Sequence, residues 1–119
     1  MTESPVLREV LLAVACQPDV LCWRQNVGAA KDRATGQVVR FGVPGCADVI
    51  ACVSGVFVAL ETKRPRGGKH AENQKRFRDA VVRAGGIYRL VRSEEEALVA
   101  LAEARSLAAS RSRPPVLQP

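Results

Sequence analysis

The chain has 119 residues, 47% hydrophobic and 25% charged, which suits one globular domain with a real core and excludes a chain that is disordered as a whole or a multidomain enzyme. Its 18 basic against 12 acidic residues leave a net charge of +6, a balance that favours a polyanionic partner, nucleic acid first. Apolar runs end far short of the ~20 residues that cross a bilayer, and Met1-Thr2-Glu3-Ser4-Pro5 is acidic and polar, so the expectation is a cytoplasmic protein with no membrane partner.

Ser4-Pro5 supplies a cap and a proline at the first helical position, and Val6, Val10, Ala13 and Val14 recur at helical spacing, predicting a helix through about Cys16. Gln17-Pro18-Asp19 breaks it, and residues 20–27, with Leu21, Trp23 and Val27, read as a strand with some residues facing out. Residues 28–36 read as a mobile basic loop carrying Lys31 and Arg33; extended structure resumes over 37–41 and turns at Gly42-Val43-Pro44-Gly45. Residues 48–53 and 56–63 are apolar runs joined by Ser54-Gly55, which suits a two-residue hairpin turn and makes them the central strands. A loop over 64–69 leads to a helix over 70–84 with Phe77, Ala80, Val81 and Ala84 as one stripe, ended by Gly85-Gly86. Residues 87–91 form a last strand, and Ser93-Glu94-Glu95-Glu96 fits a capping box opening a helix to about Ala109. The Ser/Arg/Pro-rich residues 110–119 read as a disordered basic tail. The order α-β-β-β-β-α-β-α describes a single α/β domain over 1–109, a mixed sheet flanked by helices. Cys16, Cys22, Cys46 and Cys52 show neither zinc-site spacing nor disulfide density and read as buried free thiols.

Counting outward from Ser54-Gly55 pairs Val53 with Val56 and sets Asp48 opposite Glu61. Alternation puts Phe57, Ala59, Glu61 and Lys63 on one face and Val58, Leu60 and Thr62 on the other. Carboxylates on strands that otherwise read as core are costly unless paired or bound to metal. Two carboxylates, a backbone carbonyl and waters are what Mg²⁺ prefers, and a nearby lysine can orient an attacking water. Gln74 shares the stripe of Phe77 and Val81 and so faces the sheet, while Glu9 lies beside Val6, Val10 and Ala13. Taken singly, the first reads more readily as an amide bonded to backbone and the second as a rim acid paired with Arg8 or another arginine; the convergence of four such residues on one sheet is what favours a site. Of the 18 cations 14 are arginine, whose planar fork suits phosphate oxygens, although a GC-rich genome also writes arginine for any surface cation. Arg24, Lys31, Arg33 and Arg40, with Arg64, Arg66 and Lys69 after the central strand, are the candidates to hold flanking phosphates; ordinary surface charge is the alternative for each.

The stretches Arg24-Gln25-Asn26-Val27-Gly28, Arg40-Phe41-Gly42-Val43-Pro44-Gly45-Cys46-Ala47-Asp48, Glu61-Thr62-Lys63, Gln74 and Gly85-Gly86 resemble, in order and spacing over roughly 4–101, the stand-alone virus-type VRR-NUC nucleases of the PD-(D/E)XK superfamily. The resemblance implies a restriction-endonuclease-like core, Mg²⁺- or Mn²⁺-dependent hydrolysis of phosphodiesters, and a homodimer acting on branched DNA in the manner of Holliday-junction resolvases. It implies that Asp48 and Glu61 bind the metal with the Thr62 carbonyl, that Lys63 positions the hydrolytic water, that Gln74 supports the site from the helix, and that Glu9 adds an acidic group. An exposed edge strand at 20–27 is where the homodimer would form. The chain departs from the family pattern at Ala47, where the superfamily name implies proline, and at His70, where a capping Ser or Thr is expected. Three other readings stay open: a non-catalytic DNA-binding module on the same fold, an interaction domain folding against a larger partner, and an unrelated α/β enzyme in which Glu61 and Lys63 are only an ion pair.

Overall fold

The computed structural model describes residues 4–25, 28–62 and 68–111, excepting the side chains of 28, 29, 39–41, 69 and 70. Their elements are α1 (Pro5–Ala15), β1 (Val20–Arg24), β2 (Gly28–Lys31), β3 (Val38–Phe41), β4 (Val49–Val53), β5 (Val56–Glu61), α2 (Lys69–Arg83), β6 (Ile87–Leu90) and α3 (Glu94–Arg111). A four-stranded sheet runs in the order β1-β4-β5-β6, and β2-β3 form a separate two-stranded ribbon. The fold is therefore α/β, with a mixed sheet flanked by helices.

The β4–β5 hairpin fixes the sheet. Ser54 and Gly55 both hold positive φ, 51° and 87°, as a two-residue turn matched to strand twist requires. Ser54 carries that conformation with its hydroxyl donating to Asp19 Oδ2 at 2.6 Å. From Val53↔Val56 the antiparallel register runs to Val49↔Leu60, and β1 adds on the outside with Arg24↔Val49. β6 pairs with β5 in parallel, Val58↔Ile87 to Glu61↔Leu90, with α2 as the crossover that parallel pairing demands.

This register sorts side chains onto two faces. Val49, Ala51, Val53, Val56, Val58, Leu60 and Ile87 are buried against Leu7, Val10 and Val14 of α1 and Ala97, Ala100, Leu101 and Ala104 of α3. On the other face Ala47, Ile50 and Ala59 close against Val81 of α2, with Phe77 and Tyr88 half-buried beside them. α2 does not cover that face entirely: the cross-strand row of Leu21, Cys52 and Phe57 is exposed, and Trp23 is 46% exposed at the β1 edge.

The helix ends follow their caps. Ser4 Oγ accepts from the Leu7 amide at 3.1 Å with Pro5 behind it, opening α1. Ser93 Oγ accepts from the Glu96 amide at 3.2 Å, while the Glu96 carboxylate reaches back to the Arg92 amide at 2.7 Å, one residue earlier than the reciprocal capping-box bond. Arg105 of α3 grips Asp19 through Nε and Nη2, each at 2.9 Å, and Gln17 at 3.0 Å, tying α3 to the start of β1.

Several sequence expectations are corrected. Residues 28–31 belong to a strand and not to the loop expected over 28–36; Gly-Ala-Ala-Lys carries no β-branched or aromatic signal, and only its pairing with 38–41 makes it extended. The element order thus gains one strand. α3 continues through Ser110 and Arg111, so the expected tail boundary moves, and 112–119 lie outside the described residues. Ala80 and Ala84 are exposed, leaving Gln74, Phe77 and Val81 as the inward stripe of α2. The cysteines are free but not buried: Cys16 and Cys52 are exposed, Cys22 and Cys46 intermediate, because Cys52 sits on the uncovered row and Cys16 at a helix end. Among the described residues no helix is long and apolar enough to cross a membrane.

Candidate functional site

Continuing the β4–β5 register one step past Val49↔Leu60 sets Asp48 across from Glu61, on the α2 face of the sheet. Both ends of the row are pinned by backbone: the Gln25 amide donates to the Asp48 carbonyl at 2.8 Å, and the Val91 amide to the Glu61 carbonyl at 2.8 Å. The row therefore reads Gln25, Asp48, Glu61, Leu90 across all four strands.

Glu61 is 3% exposed, and it is the charged side chain buried among the described residues. Gln74 reaches it from α2, Nε2 donating to Glu61 Oε2 at 2.8 Å. Asp48 accepts at Oδ2 from both the Thr62 amide, 2.9 Å, and the Thr62 hydroxyl, 2.7 Å. One residue thus holds a carboxylate oxygen through two donors, a fixation that a flexible surface acid lacks. The amide oxygen of the same side chain, Gln74 Oε1, is buried with no hydrogen-bond partner.

The helix is brought to this row by Gly45. A Cβ there would stand 2.2 Å from the Asn73 carbonyl carbon and oxygen and 2.6 Å from the Gln74 nitrogen, so the 42–47 turn lies directly on the backbone of α2. The φ of +77° at the same residue suits glycine for a second reason. Local charge is felt by neighbours. Burial, aided by Glu61 and Asp48, pushes the Cys46 thiol up to about 11 against an opposing Ala47 backbone bond. The Tyr88 phenol is pushed up to about 12, chiefly by burial and then by Glu61.

Among the described residues the cluster gathers oxygen acceptors from Asp48, Glu61 and Gln74. Two carboxylates with an orphaned amide oxygen beside them suit a hard divalent cation, which typically takes one or two carboxylates and completes its shell with water and neutral oxygens. No group of three His, Cys, Asp or Glu gathers among the described residues.

The structure thus joins Asp48, Glu61, Thr62 and Gln74. Glu9 is exposed on α1, the helix packed against the opposite face of the sheet. Arg24 shares the Val49 and Leu60 row and so also lies on that opposite face. Lys31 and Arg33 are exposed on the β2–β3 ribbon and its turn. Arg40 lies in β3 and Lys69 opens α2, their side chains being outside the description, while Lys63, Arg64 and Arg66 lie outside the described residues. The helix N-cap is Gly68, which makes no side-chain cap bond, and His70 follows inside the first turn. Sequence reasoning missed Gly45 as the contact point, Gln25 as the end of the row, and Tyr88 with Lys75 and Arg78 beside the site. Comparison with known protein families, curated proteins and solved structures finds no match for this chain.

Proposed function

We propose that this chain is a Mg²⁺- or Mn²⁺-dependent DNA endonuclease with a restriction-endonuclease-like core, structure-specific for branched DNA and working as a homodimer. The observation that carries this reading is the buried Glu61 held by Gln74 across from Asp48, with Gln74 Oε1 left unpartnered beside them. A carboxylate buried at the end of a sheet is costly, and an acceptor left open next to it turns that cost into affinity for a cation. The +6 charge supports a polyanionic substrate.

Asp48 and Glu61 would hold the ion, with the Thr62 carbonyl and Gln74 Oε1 as neutral oxygens. The ion, when bound, supplies a Lewis acid for the scissile phosphate and an acidified water. Thr62 keeps Asp48 oriented through its two donors, and Gln74 does the same for Glu61. Lys63 is proposed to orient the water, and Lys31, Arg33, Arg40, Arg64, Arg66 and Lys69 to hold the flanking phosphates.

The test is cleavage of end-labelled four-way junction, flap, single-stranded and duplex DNA in Mg²⁺, Mn²⁺ or EDTA. The wild type should cut only with metal, and Asp48→Asn, Glu61→Gln and Lys63→Ala should each lower the rate by about a hundredfold or more while staying folded. A wild type that binds these DNAs in every condition and cuts none would replace this reading with the non-catalytic binding module.

A further inference from the structure

On the β6 side of the carboxylates a cavity of ≈ 320 Å³ opens between α2 and the sheet, lined by Ala71, Gln74, Lys75, Arg78, Tyr88 and Leu90. Its position follows from register. In the parallel β5–β6 pair Tyr88 lies beside Ala59 and Leu90 beside Glu61, so both β6 side chains rise on the α2 face. Residues 71, 74, 75 and 78 share one side of α2, spaced i, i+3, i+4 and i+7. The cavity and the carboxylate row therefore share a wall, and that wall is Gln74, which bonds Glu61 through Nε2.

The lining combines two chemistries. Leu90, Ala71 and the Tyr88 ring make an apolar, partly aromatic floor, and the ring is fixed by an edge-on contact with Phe77 at 6.2 Å between centroids. Lys75 and Arg78 stand exposed at the rim. Arg78 meets Asp79 at 3.3 Å in a solvent-exposed pair of the weak kind, and Lys75 has no ion-pair partner among the described residues. A flat apolar ring carrying an anion matches both halves of this lining. The volume sits at the low end for small-ligand pockets, room for one such unit and not for a paired duplex.

We propose that this cavity receives a single unpaired nucleotide of the substrate strand, its base on Tyr88 and Leu90 and its phosphate at Lys75 and Arg78. The identity of the ligand as a nucleotide rests on the nuclease reading above; the shape and charge of the cavity do not. The consequence is a substrate preference: DNA carrying an unpaired nucleotide next to the cut strand fills the cavity, whereas continuous duplex leaves it empty. Base stacking on an aromatic side chain is sequence-tolerant, so the preference concerns pairing state and not base identity.

The experiment has two arms, both on the full chain. In EDTA, deoxyadenosine 5′-monophosphate, deoxyadenosine and inorganic phosphate are titrated against the amide NMR spectrum. The monophosphate should bind tightest and shift the amides of 71–78 and 87–90, Lys75→Ala/Arg78→Ala should weaken it about tenfold, and Tyr88→Leu should weaken it similarly, with Tyr88→Phe restoring binding because the ring is kept. In Mg²⁺, the ratio of cutting rates on gapped or flapped DNA to those on continuous duplex should exceed about ten, and Tyr88→Leu should collapse that ratio. Monophosphate that shifts no amide in these segments, or that binds no better than inorganic phosphate, overturns the proposal, as does a rate ratio near one. Binding at the cavity without cleavage of any DNA would instead overturn the nuclease reading and leave the nucleotide site standing.

Discussion

Against α1 and α3, the inward positions of β4 and β5 are all aliphatic, from Val49 to Leu60, and the helices meet them with Val10, Val14, Leu101 and small alanines. Against α2 the buried apolar residues are Ala47, Ile50, Ala59 and Val81, with Phe77 and Tyr88 half-buried beside them, and the next row holds Asp48 and Glu61. The contrast shows where the molecule can tolerate charge. The first face supplies the burial that sets strand register, and the second inherits that register and carries polar groups at the sheet's end. Folding and chemistry thus make different demands on opposite sides of the same two strands.

Variants can break or sharpen this contrast. The largest effect is expected from Leu101→Ala, which empties a fully buried site on the α1/α3 face and should cost about 2–5 kcal/mol in chemical denaturation, leaving the folded fraction with its carboxylate site intact. Gly45→Ala should cost less, about 1–3 kcal/mol, because the turn must back away from Asn73 and the left-handed φ is lost. It should nonetheless damage the site more, since retreat of α2 lengthens the Gln74–Glu61 bond. Equal loss of the proposed cation binding in the two variants would erase the division between faces.

The next effect is set by pH. The Arg105 guanidinium, then the Ser54 hydroxyl, hold the Asp19 carboxyl well below the usual carboxylate range. With a folded value below the unfolded one, the contribution is complete above about pH 4 and is lost as pH falls from there toward the folded value. Asp19→Asn should therefore flatten the acid limb of stability measured by denaturation midpoints, with wild type and variant converging in acid. The smallest effect is spectroscopic. Tyr88 is the single tyrosine, so its phenolate absorbance should titrate near 12, and Glu61→Gln should bring that midpoint down while burial keeps it above the ordinary value of about 10.

Much of this arrangement is local, and locality decided what could be read in advance. The α1 cap, the Ser54-Gly55 turn, the Asp48 and Glu61 alignment and the inward Gln74 all follow from spacing within one or two elements. β2 escaped because its four residues have no strand signature without their partner. Tyr88 and the cavity escaped because a parallel pairing across α2 is not written in any short pattern. Gly45 escaped for a similar reason: a turn glycine looks the same whether it faces water or touches another backbone. Its charge makes Arg24 a phosphate candidate, yet strand alternation carries it to the α1/α3 face, a parity that depends on where β1 starts against β4.

The hairpin turn acts as a ruler for a site it never touches. Five residues of β4 separate it from Asp48, about 17 Å of extended chain. Adding or removing one residue in either arm would send Asp48 or Glu61 through the sheet to the opposite side, whereas a change of two would return the side chain to its own side, one row displaced. Insertions within β4 or β5 should thus be read in even and odd classes, the odd ones fatal to the carboxylate pair from a distance and the even ones only shifting where along the sheet it lies.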